Sequence, residues 1–296
     1  MASSVVLFRF LVVQAGSRNL MDPVSRLENA QSLDRLTGPL QRAVRLVPGP
    51  LRDVLHGVWL GHPLHPVLVQ VPLGTWLSAA LIGMSPGGER AARRLTIVGL
   101  AATGPAALTG ATDWAEQHEQ HLRVGMVHAA ANWAAAGLFA ASLGCRGHRA
   151  GQAMRLAGLT VASAGGLLGG HLSFRLAGGA NHAEAVPHLV EPGWHYLMPE
   201  HELPDATPVR RMLGDVPVVA IRHDGEVHVL SDQCSHLAGS LSEGQLTGGT
   251  ITCPWHHSRF CLADGSVDRG PATAPQPRFS VRTVGGAIQV MLPGAG

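Results

Sequence analysis

The chain has 296 residues, 46% of them hydrophobic and 14% charged, and a formal net charge of +2. Its 22 basic residues are all Arg and form no clustered basic face, which gives no case for a nucleic-acid partner. Four cysteines, Cys145, Cys234, Cys253 and Cys261, are too few and too unevenly placed for a disulfide scaffold, so metal ligation is the better use for two of them.

Length suggests two domains, and composition divides the chain accordingly. Residues 1–20 hold a short apolar run, VVLFRFLVV, that Arg9 interrupts; it makes a poor signal peptide and leaves Met21 as an alternative start. Residues 1–60 read as an amphipathic, interfacial region. Leu33, Leu36, Leu40, Val44 and Val47, then Leu51, Val54, Leu55 and Val58, recur at helical spacing, with Arg35, Arg42, Arg45 and Arg52 between them. Such helices lie in a membrane interface or pack on a helical bundle.

Residues 61–176 contain four stretches without Asp, Glu, Lys or Arg: Pro66 to Met84, Leu95 to Thr112, Val124 to Cys145 and Leu156 to Phe174. Each approaches the ~20 apolar residues that a helix needs to cross the hydrocarbon core. The expectation is an all-α four-helix transmembrane bundle in a cell membrane, the lipid bilayer being one partner. Small residues such as Gly99, Gly104, Gly110, Gly165, Gly166, Gly169 and Gly170 let its backbones approach closely. Arg distribution between the loops points in opposing directions and leaves the membrane side of the C-terminal half open.

Polar residues in these spans are few. His62 and His65 open the first, Asp113 closes the second, His128 lies near the start of the third and His171 near the end of the fourth. Four spans place all of them at one membrane surface, the one that also bears the C-terminal half. Intramembrane ionisable groups are costly and are functional candidates. Three uses compete: a quinone headgroup site, axial ligation of a b-type haem, and plain interhelical hydrogen bonding. GHPLHP, the TDW at 112–114 and GGHLSFR at 169–175 resemble a family of four-span bacterial membrane proteins of no settled activity (the DUF2231 type). The resemblance covers about residues 60–182 and implies a membrane module.

Residues 177–192, AGGANHAEAVPHLVEP, read as a linker that lets the next domain swing, with His182 and His188 solvated. From Gly193 to the end, short alternating runs predict antiparallel β structure. Pro217 to Ile221 and Glu226 to Leu230 flank the turn His223-Asp224-Gly225, and Phe279 to Val284 and Ala287 to Met291 flank Gly285-Gly286, both hairpin patterns. Inside this half stand Cys234-Ser-His236 and Cys253-Pro-Trp-His256. Two thiolates and two imidazoles suit tetrahedral zinc, yet zinc sites of this composition pair Cys with Cys and His with His, whereas here each loop gives one of each.

That arrangement resembles the Rieske [2Fe-2S] domain over residues 193–293, supported by Leu241-Ser242-Glu243-Gly244 between the loops and by Ser258, Phe260, Asp264 and Gly265 after the second. The resemblance implies an all-β fold with a cluster-binding subdomain, in which Cys234 and Cys253 hold one iron and His236 and His256 the other. It makes Ser258 a candidate hydrogen-bond donor to the cluster and His257, where the family usually has Gly, a neighbour only. High-potential relatives carry a loop disulfide whose positions are Gly239 and Trp255 here, and a Tyr where Phe260 stands. A low to intermediate potential is therefore expected. Only 40 residues follow His256, too few for the mononuclear iron domain of an oxygenase catalytic subunit. The expected function is membrane-bound electron transfer linking a redox enzyme to the quinone pool or a haem. The alternatives are a tethered ferredoxin for a separate oxygenase or hydrogenase, and a redox sensor.

Overall fold

The computed structural model describes residues 22–293; the apolar run at 5–13 and Met21 lie outside them. The N-terminal half is helical: α1 (Asp22–Glu28), α2 (Asp34–Val44), α3 (Gly49–His56), α4 (His65–Leu68), α5 (Gln70–Ile82), α6 (Glu89–Trp114), α7 (Glu119–Gly144) and α8 (His148–Gly170), with a π-helical turn over His171–Arg175. Among the described residues three segments are long and apolar enough to cross a membrane: His65–Ile82, Glu89–Trp114 and Glu119–Gly144. The expected fourth span, Leu156 to Phe174, is not one of them: its glycines dilute its hydropathy, and the α-helix stops at Gly170. α5 packs on α6, α6 on α7, α7 on α8, and α8 back on α5. Glycines set these approaches: Trp76 and Phe139 stack with ring centroids 4.6 Å apart, and Gly99 and Gly158 leave room for them. Leu77, Leu81, Ile97, Val98, Trp133 and Leu167 face outward.

Helix α1 docks on this group through Val24 and Leu27 against Val124 and Leu168, whereas α2 and α3 make polar contacts with it. Glu116, at the α6–α7 turn and 2% exposed, accepts from Arg45 at 3.0 Å and from Arg52. Arg123 binds both carboxylate oxygens of Asp34 at 2.7 Å, and Gln41 donates to the carbonyl of Ala115 at 2.8 Å. Buried ion pairs inside and exposed Leu36, Leu40, Leu51 and Val54 outside reverse the usual polarity of a soluble surface helix. Of the two readings of this region, packing on the helical group is the one that these contacts show.

The C-terminal half is all antiparallel β. A six-stranded sheet has the order β1 (His195–Pro199), β10 (Ala287–Met291), β9 (Arg278–Val284), β4 (Glu226–Ser231), β3 (Val216–His223), β2 (Val209–Leu213). A smaller sheet runs β5 (Gln245–Thr247), β6 (Thr250–Thr252), β7 (Arg259–Cys261), β8 (Val267–Arg269). Both expected hairpins are present. Asp224 and Gly225 turn β3 into β4 with φ of 50° and 81°, and Gly285 and Gly286 turn β9 into β10 at 59° and 75°. These left-handed pairs match strand twist, as primed turns do.

The segment read as a swinging linker is instead packed. Its short helix α9 (Val186–Leu189) and neighbours bury Ala183, Val186 and Val190 in the core beside Leu197, Val218, Phe279 and Ile288. Apolar residues at 183, 186 and 190 line one side of a helical turn, and this spacing outweighs the Gly and Pro content.

Candidate metal centre

Two loops of the smaller sheet's region converge. The first, residues 234–240, follows β4; the second, residues 253–258, links β6 to β7. In the first, Cys234 N–H donates to the Gly239 carbonyl and Ala238 N–H to the Cys234 carbonyl, both at 2.9 Å, and Ala238 takes a left-handed φ of 64°. In the second, Cys253 N–H donates to the Ser258 carbonyl at 2.8 Å and His257 N–H to the Cys253 carbonyl at 3.1 Å. His257 stands at φ 62°, in the left-handed region that favours glycine, and it is exposed. Its conformation explains why a glycine suits this place, and its ring stays outside the pairing of His236 with His256.

Buried polar residues fix the first loop. Asp232, 1% exposed, accepts from Ser242 N–H and Ser240 Oγ, each at 2.6 Å. Gln276, 2% exposed, accepts from Ser235 N–H at 3.1 Å and donates to the carbonyls of Ser231 at 2.9 Å and Gln233 at 2.5 Å. Sequence reading had not singled out either residue. An acid two residues before Cys234 and a polar residue within a Pro-rich stretch were the available signals.

The donors sort by element. The rings of His236 and His256 lie 5.1 Å apart, nearly perpendicular, and the thiols of Cys234 and Cys253 lie close enough to interact. That interaction raises the buried Cys234 thiol and lowers Cys253. Burial holds His236 well below the usual histidine range and His256 down to about 4, so both imidazoles are neutral lone-pair donors near pH 7. His236 Nδ1 is buried without a hydrogen-bond partner. Among the described residues no three His, Cys, Asp or Glu side chains share a point that could hold one metal ion. The two loops thus bring two thiols and two neutral imidazoles together, and the orphaned Nδ1 fits a ligand atom.

Three further positions shape the pocket. A methyl on Gly239 would stand 2.9 Å from Cys253 Sγ and 3.0 Å from the Trp255 ring, so the indole fills the gap between the loops. Ser258, fully buried, accepts at Oγ from Ala272 N–H at 2.9 Å and keeps its own proton available. From the helical half, the His118 ring lies 5.3 Å from that of His256, 5.5 Å from Trp255 and 6.0 Å from His121. His182, expected in solvent, is half-buried; its N–H donates to the Ser235 carbonyl at 2.9 Å and its ring bonds the Ala177 carbonyl, while His188 is exposed as expected.

The five polar residues of the spans each have a separate partner. His62 is exposed and bonds the Pro63 carbonyl; His65 donates to the Ala106 carbonyl at 2.8 Å and His128 to that of Gly165 at 2.7 Å. Asp113 pairs with His56, and His171 with Glu28, both at 2.8 Å. His65, Asp113, His128 and His171 thus bond to another helix, and His62 to its own neighbour in the chain. His56 and His118 escaped the sequence reading because neither falls in a span or a ligand motif.

Comparison with known proteins adds the following. The sequence pattern of the Rieske [2Fe-2S] domain matches residues 193–283. The 3-phenylpropionate/cinnamic acid dioxygenase ferredoxin subunit of Escherichia coli (strain K12) is 36% identical over 102 residues, which are 34% of this chain and 94% of the relative. The anthranilate 1,2-dioxygenase ferredoxin subunit of Burkholderia cepacia is 31% identical over 97 residues, 33% of this chain and 90% of the relative. Among solved structures, the complex of reduced oxygenase and oxidized ferredoxin in carbazole 1,9a-dioxygenase matches 33% of this chain and 92% of that chain at 29% identity, with a TM-score of 0.32.

Proposed function

Because the chain belongs to the Rieske [2Fe-2S] domain family, we propose that it is a one-electron carrier whose cluster is held by Cys234, Cys253, His236 and His256 and whose helical half, of the DUF2231 type, is embedded in a cell membrane. The observation that carries the reading is the convergence of the two loops, thiol beside thiol and imidazole beside imidazole, with His236 Nδ1 left without a partner. When bound, a [2Fe-2S] cluster supplies reversible one-electron chemistry without an open coordination position for substrate. The residues around it do the rest. Asp232 and Gln276 hold the first loop in shape, Trp255 seals the gap over Gly239, and Ser258 offers a hydroxyl proton where a hydrogen bond to sulfur raises the potential. The potential is set low to intermediate by that one donor, with Phe260 and Gly239 withholding the others.

We assign residues 1–60 to an interfacial region, 61–176 to the membrane domain and 193–296 to the cluster domain, with 177–192 as a packed connector. Three apolar segments and the outward Leu and Val of α2 and α3 support contact with a bilayer, and α8 would complete four spans. Two relatives are named as ferredoxin subunits of dioxygenases, which favours a separate redox enzyme as the electron partner. A quinone or haem link carries less weight, since His65, His128 and His171 each bond within the protein.

Detergent-purified protein tests the reading through visible and EPR spectra with iron and sulfide analysis. The expected result is a histidine-ligated [2Fe-2S] signal, two irons per chain, lost in Cys234→Ser and in His236→Ala. A colourless protein, or one that binds a single zinc, would refute it. Carbonate washing of membranes tests the second part: the chain stays in the pellet, and its release would refute the embedding.

A further inference from the structure

The edge of the β half that presents the two imidazoles is covered by the chain's own helices. α3 ends on the loop after β8: Asp53 accepts from Gly270 N–H at 3.0 Å, and its other oxygen lies 3.9 Å from Arg269 Nε. A Cβ on Gly270 would stand 3.0 Å from Val58 and 3.4 Å from His56, so this loop sits directly on the segment that follows α3. Arg269 reaches across Gly49, where a methyl would collide with its guanidinium. From the α6–α7 turn, His118 closes over His256 and Trp255. His236 is left only 8% exposed.

The cover is polar. Each of the four buried apolar clusters among the described residues lies wholly within one half, so no hydrophobic core joins the two. Interfaces of this kind between domains permit relative motion, which a shared apolar core would oppose. The connector from 183 onward belongs to the β core, and Ala177 and Gly179 take positive φ just ahead of it, which confines any pivot to the few residues before Ala183.

We propose that the helical half is a built-in cap on the cluster's histidine edge, and that an external redox protein exchanges electrons with this edge only after the Asp53 contact with Gly270 is released. The inference rests on the cluster assignment above and adds to it a covered and an open state. Tunnelling weakens steeply with distance, so a protein acceptor held off by α3 and His118 reacts slowly, while a small oxidant is much less affected.

The test uses the full chain in detergent, its cluster reduced anaerobically with one electron equivalent per chain so that a disulfide stays intact, and mixed by stopped flow with cytochrome c as the protein oxidant or with ferricyanide as the small one. Val58→Cys with Gly270→Cys places two thiols within disulfide reach and locks the cap. Asp53→Ala loosens it. The expected result is at least a tenfold loss of rate with cytochrome c in the locked protein, recovered when the disulfide is reduced, with the ferricyanide rate within twofold of wild type. Asp53→Ala should react several-fold faster with cytochrome c. Locked protein that reacts with cytochrome c as fast as wild type would overturn the proposal. So would an Asp53→Ala rate equal to wild type. EPR recorded before mixing separates the two readings: a missing cluster signal in wild type refutes the cluster assignment, whereas an intact signal with unchanged rates refutes the cap alone.

Discussion

Replacing Gln276 by Ala removes one buried side chain and strands three backbone groups: the Ser235 N–H and the carbonyls of Ser231 and Gln233. The groups on Ser231 and Ser235 have no easy substitute, because both residues are buried, whereas Gln233 is half-buried. Each lost hydrogen bond that leaves a buried group unsatisfied costs about 1 to 3 kcal/mol, so three together should cost about 3 to 5 kcal/mol after partial relaxation. A domain has roughly 5 to 15 kcal/mol in all. Near 100 residues, each kcal/mol shifts the midpoint by about 4 to 8 °C, so the β half should melt more than about 12 °C lower. Thermal bleaching of the cluster's visible absorption in the full chain reads this directly, and iron content reads retention of the cluster. Gln276→Glu is no rescue, since a carboxylate would face two carbonyl oxygens. A Gln276→Ala protein that melts within about 3 °C of wild type with full iron would show that Gln276 does not hold the loop.

His257→Gly should keep the cluster and gain up to about 1 kcal/mol by relieving the φ of 62°, seen as a melting point a few degrees higher; iron loss would contradict the reading of His257 as a bystander. Ser258→Ala should lower the midpoint potential by about 40 mV, the one-electron equivalent of one hydrogen bond of ~1 kcal/mol, in a redox titration. An unchanged potential would mean that the hydroxyl serves only Ala272. Val186→Asp places a carboxylate in the β core and should cost at least about 3 kcal/mol by denaturant titration, whereas a free tether would tolerate it.

What could be read from the sequence followed from local rules. Cys234, His236, Cys253 and His256 are separated by spacings that two short loops impose, and the Asp224-Gly225 and Gly285-Gly286 turns need left-handed backbone that those residues adopt cheaply. Apolar length alone revealed three of the helices. What escaped was set by long-range packing. Gln276 acts on residues more than forty positions away, and His118 meets His256 only because α3 and the α6–α7 turn dock on the β half. Residues 177–192 misled in the other direction, because Gly and Pro content was weighed above the spacing of Ala183, Val186 and Val190.

Gly239 and Trp255 raise a final question: what holds the two cluster loops together where no disulfide does. A disulfide typically contributes about 2 to 4 kcal/mol. Here Asp232 ties Ser240 and Ser242 to the end of β4, Gln276 ties Ser231, Gln233 and Ser235 to the loop before β9, and the Trp255 ring rests on Gly239. Charge-assisted hydrogen bonds contribute about 1.5 to 3 kcal/mol each, so Asp232 alone reaches the range of the missing crosslink. The difference is chemical. A disulfide beside the cluster can be reduced, whereas this set of carboxylate, amide and indole contacts contains no reducible bond. Loop geometry should therefore survive reducing conditions unchanged.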